Sequence, residues 1–173
     1  LFVKRASVKL DDCLRVMASE TDPSRGDIAS AGAFSGLVEF VEADSDVVIT
    51  DLPRTLAVAQ PEILIPFSRI VLVAEPHLAA MRDVARLSTL VKNSNPTAEV
   101  ITVLNMQGIA SKEELAQKTF EEGSGLKIDF KIPFDPKTAF SAEAHGKCIL
   151  AASPKSKLGH ALTGVAREIA GIK

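Results

Sequence analysis

Asp51 carries the strongest chemical signal in the sequence, because of the residues that precede it. Residues 47–50 are Val, Val, Ile and Thr, a short run typical of a buried strand. A carboxylate at the end of such a strand is suited to hold the water shell of a Mg²⁺ ion beside phosphates. The same residue type also caps helices and turns, and on spacing alone that alternative is the more frequent one. Asp51 is therefore a candidate Mg²⁺ residue with a structural alternative.

Other kinds of chemical site find less support. His77, His145 and His160 lack the paired spacing of metal ligands, so we expect no metal site apart from Mg²⁺ at Asp51. The sequence contains no Gly-x-Ser-x-Gly, which argues against an α/β-hydrolase nucleophile.

A receiver-like signalling domain is a weaker alternative. It would need an acidic pair, a strand-end Asp and a Lys before Pro, and Asp11, Asp12, Asp51 and Lys131 are the residues available. The acidic pair precedes its predicted strand instead of following it, and the interval from Asp51 to Lys131 is long for such a domain. We therefore do not favour this interpretation.

The composition is that of an ordinary globular protein. The 173 residues include 20 Lys and Arg against 22 Asp and Glu, which gives a net charge of −2, so no overall basic field predicts a nucleic-acid partner. No apolar run approaches the roughly 20 residues that span a bilayer. Cys13 and Cys148 match neither a disulfide framework nor zinc spacing, so we expect reduced thiols and a cytoplasmic protein.

The elements that must position Asp51 alternate between two patterns. Five short apolar runs predict strands, at 13–19, 46–52, 69–75, 99–105 and 127–133. Stripes with helical spacing lie between or after them, at 28–41, 78–91, 112–121 and 158–172. Ser111 and Glu114 have the spacing of a capping box for the third helix. Strands alternating with helices predict one α/β domain over 1–173, with a mostly parallel sheet and helices on both of its faces.

The last helix carries basic residues around an apolar stripe, namely Lys155, Lys157, Arg167 and Lys173. A helix of that kind can lie on a membrane surface. Small residues such as Gly164 dilute the stripe, however, so packing on the sheet is the preferred interpretation and peripheral membrane association is not indicated.

Several segments together resemble a known family. In chain order they are "DVVITDLPRTL", "RIVLVAEPHLAAMRDVARL", "VITVLNMQG", "KIPFDPKTAFSAEAHGKCIL" and "SPKSKLGHAL". They resemble the MinD/ParA class of deviant Walker (SIMIBI) P-loop ATPases, and more narrowly the CpaE-like branch that serves Flp/Tad pilus assembly. "DLPR" and the Ser-Pro-x-Ser segment before the last helix are typical of that branch.

The resemblance implies roles for particular residues. Asp51 matches the Walker B acid that supports Mg²⁺, and Asn105 matches the Asn that contacts adenine. Pro133, Phe134 and Asp135 fall on the loop that walls the adenine. Each of these has a structural alternative, since Asn105 could cap the turn before Gly108 and "IPFDP" could be a rigid strand exit.

The phosphate-binding loop of this class is missing from the sequence. No segment ends in Gly-Lys-Thr or Gly-Lys-Ser; Gly123–Lys127 lacks the spacing and Gly146–Lys147 lacks the hydroxyl residue. We therefore expect the chain to resemble the C-terminal part of a MinD/ParA-like ATPase domain, truncated at its N-terminus, or else a degenerate member that never bound ATP. By itself it should hydrolyse no nucleotide; ATP and Mg²⁺ are cofactors expected only in an intact parent.

The function implied by the resemblance is the positioning of pilus or secretion machinery by an ATPase that sandwiches nucleotide in a homodimer. Its partners would be pilus assembly components, with no nucleic acid. The alternative is a localisation scaffold of the same fold that works without nucleotide.

Overall fold

The computed structural model describes residues 6–18, 30–110 and 112–171. The chain divides into two compact units, Leu1–Asp51 and Leu52–Lys173. Whether the chain is the single domain expected from its sequence stays a prediction. Ser111 and Lys173 lie outside the described residues. So do the end of the predicted strand 13–19, the start of the predicted helix 28–41 and the last residue of the predicted helix 158–172.

The first unit contains a small hairpin and a helix. Strand β1 (Val8–Lys9) pairs antiparallel with β2 (Arg15–Val16). Asp11 forms the turn, because its Oδ1 accepts the N–H groups of Cys13 and Leu14 at 2.7 and 2.8 Å. Helix α1 (Ala31–Glu42) begins at Ser30, whose hydroxyl accepts the N–H of Ala33. The predicted strand 13–19 is thus reduced to two residues.

The predicted strand 46–52 does not form. No strand is assigned between α1 and residue 53, and Ile49 is 76% exposed. A strand is defined by the hydrogen bonds to its neighbour, and the described part of the first unit offers this segment no neighbouring strand. The apolar run therefore has strand propensity, but the described residues provide no neighbouring strand with which it could pair.

The second unit is built on a three-stranded parallel sheet. Its strands are β3 (Arg69–Ala74), β4 (Glu99–Gln107) and β5 (Phe130–Pro133), in the order β3-β4-β5. The β3–β4 register runs from Arg69 opposite Glu99 to Ala74 opposite Leu104. The expected fold class, an α/β protein with parallel strands, is confirmed.

Helices cover both faces of this sheet. On one face, α3 (Leu78–Ser94) and α4 (Gln117–Ser124) pack on the sheet. The core there consists of Leu72, Ala74, Met81, Val84, Leu104 and Phe120. On the other face lies α7 (Lys157–Ala170), and that core consists of Ile101, Val103, Ile132, Leu158 and Val165. Packing on the sheet is therefore the use of the last helix.

Shorter elements complete the unit. They are α2 (Arg54–Ala59), a 3₁₀ turn (Pro61–Leu64), α5 (Pro136–Ala144) and α6 (Ile149–Ala152). Ser156 caps α7 by accepting the N–H of Gly159 at 2.9 Å. Gly159 is required there, because a Cβ would lie 2.5 Å from the carbonyl oxygen of Ser153.

Within the described ranges, we find no helix with the length and apolar character needed to cross a bilayer.

Arg69 joins the start of the sheet to the end of α7. Its Nε donates to Glu99 Oε2 at 2.8 Å, across the first rung of the β3–β4 ladder. Its Nη1 donates to the carbonyl oxygen of Ile169 at 2.9 Å. A cation is favourable at a helix C-terminus, so one side chain stabilises two elements.

The Asn95 side chain stabilises the loop between the 3₁₀ turn and β3 by hydrogen bonds. It is only 7% exposed. Its Nδ2 lies 3.0, 3.1 and 2.8 Å from the carbonyl oxygens of Leu64, Ile65 and Phe67, respectively. Its Oδ1 accepts the hydroxyl of Thr97. Because the two N–H groups of this amide are shared among three carbonyl oxygens, the Asn95 side chain holds a loop that has no regular secondary structure.

We predict that Asn95→Ala lowers the free energy of unfolding by about 1–3 kcal/mol, the cost of leaving buried polar groups unpaired. Asn95→Asp should cost more, since a carboxylate would face three carbonyl oxygens. The measurement is urea unfolding followed by circular dichroism, because the chain has no Trp or Tyr. Asn93→Ala, at an exposed position in the last turn of α3, is the control and should be nearly neutral. Equal effects at the two positions would contradict the assigned role.

Candidate functional site

Four of the five predicted site residues lie at or just beyond the carboxyl ends of two neighbouring strands of the parallel sheet. Asn105 lies near the end of β4, and Pro133 ends β5, with Phe134 and Asp135 following. Pro133 pairs with Gln107, and the N–H of Phe134 donates to the carbonyl oxygen of Gln107 at 2.8 Å. Because β4 and β5 are parallel neighbours, their carboxyl ends emerge side by side. The structure therefore places Asn105 and the 133–135 segment at the same end of two neighbouring strands.

Asn105 occupies an irregular part of β4. The β4–β5 register shifts between Leu104 and Gln107, so Asn105 and Met106 fall in the irregularity. Asn105 is half-buried, and its Oδ1 accepts the N–H of Met106 at 2.8 Å. Met106 has a φ of +56°, which is uncommon for a residue with a side chain. Backbone strain of this kind is often found at binding sites.

Glu114 holds the loop that follows β4. Its Oε1 accepts the N–H groups of Gly108 and Ala110 at 2.7 and 3.1 Å. Glycine suits position 108 because its φ is +94°, a backbone conformation that residues with a Cβ rarely adopt. The sequence predicted Glu114 in a capping box of a helix over 112–121, and that prediction was wrong, because the described helix begins at Gln117. The carboxylate acts instead on the amides that precede it.

The same loop is connected to the end of β3. The N–H of Leu115 donates to the carbonyl oxygen of Pro76 at 2.8 Å. His77 then caps α3, because its Nδ1 accepts the N–H of Ala80 at 3.1 Å. Sequence reasoning treated His77 only as a rejected metal ligand and missed this capping role, although its position just after Pro76 is a helix-start signal.

Asp135 is the N-cap of α5. Its Oδ1 accepts the N–H of Thr138 at 3.0 Å and its Oδ2 accepts the Thr138 hydroxyl at 2.6 Å. These two bonds, the hydroxyl first, hold the pKa of the Asp135 carboxyl below its usual value, with a smaller contribution from Lys137. Asp135 therefore stays charged at neutral pH. Phe134 beside it is 40% exposed, so its ring is available as an apolar wall.

Asp51 belongs to the first unit, where it is exposed and follows no strand. Its expected role in holding Mg²⁺ stays a prediction. Among the described residues, we find no group of three or more His, Cys, Asp and Glu side chains arranged to hold a metal ion.

A concavity of about 240 Å³ lies at the other end of the sheet, where β4 and β5 begin. Glu99, Asp129 and Glu168 line it together with Phe130. Asp129 is engaged there, because its Oδ2 accepts the N–H of Thr102 at 2.7 Å. The sequence did not indicate this feature. Two of its carboxylates have structural roles, since Glu99 accepts from Arg69 and Asp129 accepts from the N–H of Thr102.

We predict that acid weakens the fold through Asp135. Because its pKa is lowered in the folded state, its contribution to stability is present above its usual value near 3.8 and is lost as the pH falls through the folded value. Asp135→Asn should therefore lower stability at pH 6 and show a shrinking deficit below about pH 4. Unfolding curves at a series of pH values measure this. Glu143→Gln, in the same helix and without a side-chain hydrogen bond among the described residues, should show no such convergence. A deficit that is independent of pH would contradict the assignment.

Comparison with known proteins gives matches of structure and not of sequence. No protein-family model and no curated protein sequence matches this chain. A ParA family ATPase from Chlorobium tepidum matches with a TM-score of 0.82 and 19% identity, over 95% of this chain and 67% of that chain. The cell division ATPase MinD of Pyrococcus furiosus matches with a TM-score of 0.77 and 19% identity, over 96% and 70%.

The MinD of Aquifex aeolicus, in its complex with MinC, matches with a TM-score of 0.64 and 17% identity, over 83% of this chain and 60% of that chain. The chain thus spans between 60 and 70% of the length of these three proteins. At such identities the likeness concerns the fold. This chain has the fold of the ParA and MinD ATPases.

Proposed function

We propose that the chain is part of an ATPase of the MinD/ParA class, and that the edge formed by Asn105 and residues 133–135 receives the base of ATP. The observation that carries the proposal is the meeting of these residues at the carboxyl ends of two neighbouring parallel strands. Ligands of open α/β sheets bind at that edge. Asn105 supplies a polar side chain and Phe134 an exposed ring, which are the groups a base requires.

The phosphates and Mg²⁺ need residues beyond this edge. Among the described residues of the second unit, β3 pairs with β4 alone, and Val73 is 59% exposed. An apolar edge strand is seldom left bare, which supports a further strand against β3. In our proposal that strand carries the phosphate-binding loop, and Asp51 supports Mg²⁺ in the intact protein. This chain by itself then lacks hydrolytic activity.

The finer biological role follows from the motifs. "DLPR" (residues 51–54) and the Ser153-Pro-Lys-Ser156 segment support a CpaE-like protein of Flp/Tad pilus assembly. Such a protein positions secretion machinery in the cytoplasm, forms a homodimer around nucleotide and contacts pilus components. The MinC:MinD complex of Aquifex aeolicus is an instance of a protein partner on a similar fold.

A scaffold of the same fold that works without nucleotide is the second candidate. Two observations favour it: the chain contains no Gly-Lys-Thr or Gly-Lys-Ser, and Asp51 is exposed outside any strand. The two candidates differ in whether nucleotide chemistry depends on Asp51.

We predict that this chain, purified alone, shows no micromolar affinity for ATP with Mg²⁺. Backbone amides and a Lys on the phosphates dominate recognition of the triphosphate, and no such loop is present in the sequence. Isothermal titration calorimetry measures this. Micromolar binding would contradict the proposal that the phosphates are bound by residues outside this chain.

In the intact protein, Asp51→Asn should abolish ATP turnover and leave the fold unchanged, because it removes charge and preserves shape. Asp46→Asn, also exposed in the first unit, is the matched control and should retain turnover. Steady-state ATPase assays with circular dichroism of each variant decide the matter. Wild-type turnover in Asp51→Asn would show that Asp51 has only a structural role as a turn or helix cap. An intact protein without any ATP turnover would favour the scaffold.

A further inference from the structure

We propose that Arg54 is a positioning residue for Asp51. Its ion pair with Asp83 anchors the start of α2 to α3, and the short link from Arg54 back to Asp51 then restricts where the Asp51 carboxylate lies. The inference rests on the Mg²⁺ role proposed above for Asp51. It gives a physical reason for the order Asp-Leu-Pro-Arg in residues 51–54.

Asp83 lies on a helix that is fixed to the sheet. On either side of it, Met81 and Val84 of α3 are buried in the core that this helix forms with β3 and β4. The Asp83 side chain is 37% exposed, and its Oδ2 accepts a hydrogen bond from Nη1 of Arg54. The acceptor therefore has a fixed place in the second unit.

Helix α2 depends on this ion pair for its attachment. It is six residues long and buries Ala57 alone. Among the described residues, the side chains of α2 form one ion pair, that of Arg54 with α3. The 3₁₀ turn that follows is attached differently, because Ile63 and Leu64 are buried and Asn95 donates to the end of the turn. Packing thus holds the end of this segment, and the ion pair holds its start.

The link from Arg54 back to Asp51 is short and stiff. Three residues of chain span at most about 11 Å. The ring of Pro53 fixes its φ, here −58°, and the carbonyl oxygen of Pro53 accepts two N–H groups of α2 at 2.9 and 3.2 Å. A residue before proline favours extended conformations, so Leu52 is restricted as well. Anchoring Arg54 therefore limits the positions that are open to Asp51.

A guanidinium also binds phosphate directly, which would be a different role for Arg54. In the structure its side chain is 58% exposed and is engaged by Asp83. The two roles differ in what happens when Asp83 is neutralised. Releasing Arg54 from Asp83 would favour a direct contact with phosphate, whereas it would impair the positioning of Asp51.

The test neutralises each partner in turn in the intact protein, as Arg54→Gln, Asp83→Asn and the double variant. ATP turnover is measured as a function of Mg²⁺ concentration. The half-saturating Mg²⁺ concentration should rise about two- to fivefold in all three variants, the range for an exposed ion pair, and the double variant should be no worse than either single variant. Arg82→Gln removes an exposed charge beside Asp83 that has no ion pair among the described residues, so it should match the wild type.

A second measurement needs neither nucleotide nor metal. Hydrogen exchange of this chain, followed by NMR, reports on the amides of Ala57 and Gln60, which close the first and last turns of α2. Their protection factors should fall about two- to fivefold in Arg54→Gln and in Asp83→Asn, because both variants break the same ion pair. The amide of Asn95 belongs to the other attachment and should keep its protection.

The failures are distinguishable. Shifts of opposite sign in Arg54→Gln and Asp83→Asn, or an effect of Arg54→Gln alone, would overturn the inference and assign Arg54 a direct electrostatic role. Unchanged Mg²⁺ dependence or unchanged protection of α2 would overturn it as well. In these cases the proposed function stands as long as Asp51→Asn abolishes turnover. If the intact wild type shows no turnover, the proposed function fails, and the inference fails with it.

Discussion

The burial of β4 is the constraint on which the second unit depends. Ile101, Val103 and Leu104 are nearly inaccessible, and β4 is paired on both sides. Because successive residues of a strand point to opposite faces, Leu104 enters the core under α3 while Ile101 and Val103 enter the core under α7. Both helical layers are thus positioned by one strand. The same strand delivers Asn105 to the sheet edge, so the candidate site follows from the core.

Part of this structure could be predicted from sequence because the signals are local. Nearly continuous apolar runs predicted β3 and β4, and helical stripes predicted α3 and α7. The segment 46–52 has an equally apolar pattern and forms no strand, because pairing depends on a neighbour that a local pattern cannot supply. The candidate residues at the ends of β4 and β5 were identified by resemblance and spacing. The bond that turns the Asn105 oxygen toward Met106 and the contact of Glu114 with Gly108 depend on the exact backbone path, which no pattern encodes.

The fold and the chemistry of this chain are separable questions. Structures with 17–19% identity share its architecture, so the layered arrangement tolerates nearly complete replacement of the side chains. In general, the polar groups of a site and not the fold determine what such a protein does. Here the candidate site comprises a half-buried amide, a charged helix cap and a strained backbone position, each with identifiable partners in the described residues.

The order of elements along the chain has a consequence for how the protein is made. The three described parallel strands have all been synthesised once Pro133 is added, but one face of their sheet is covered by α7, which comes more than twenty residues later. Arg69 reaches Ile169 across 100 residues of chain. During translation, the face that carries Ile101, Val103 and Ile132 must therefore stay uncovered until α7 leaves the ribosome. A nascent chain paused before that point would present this face to chaperones or to other unfinished chains.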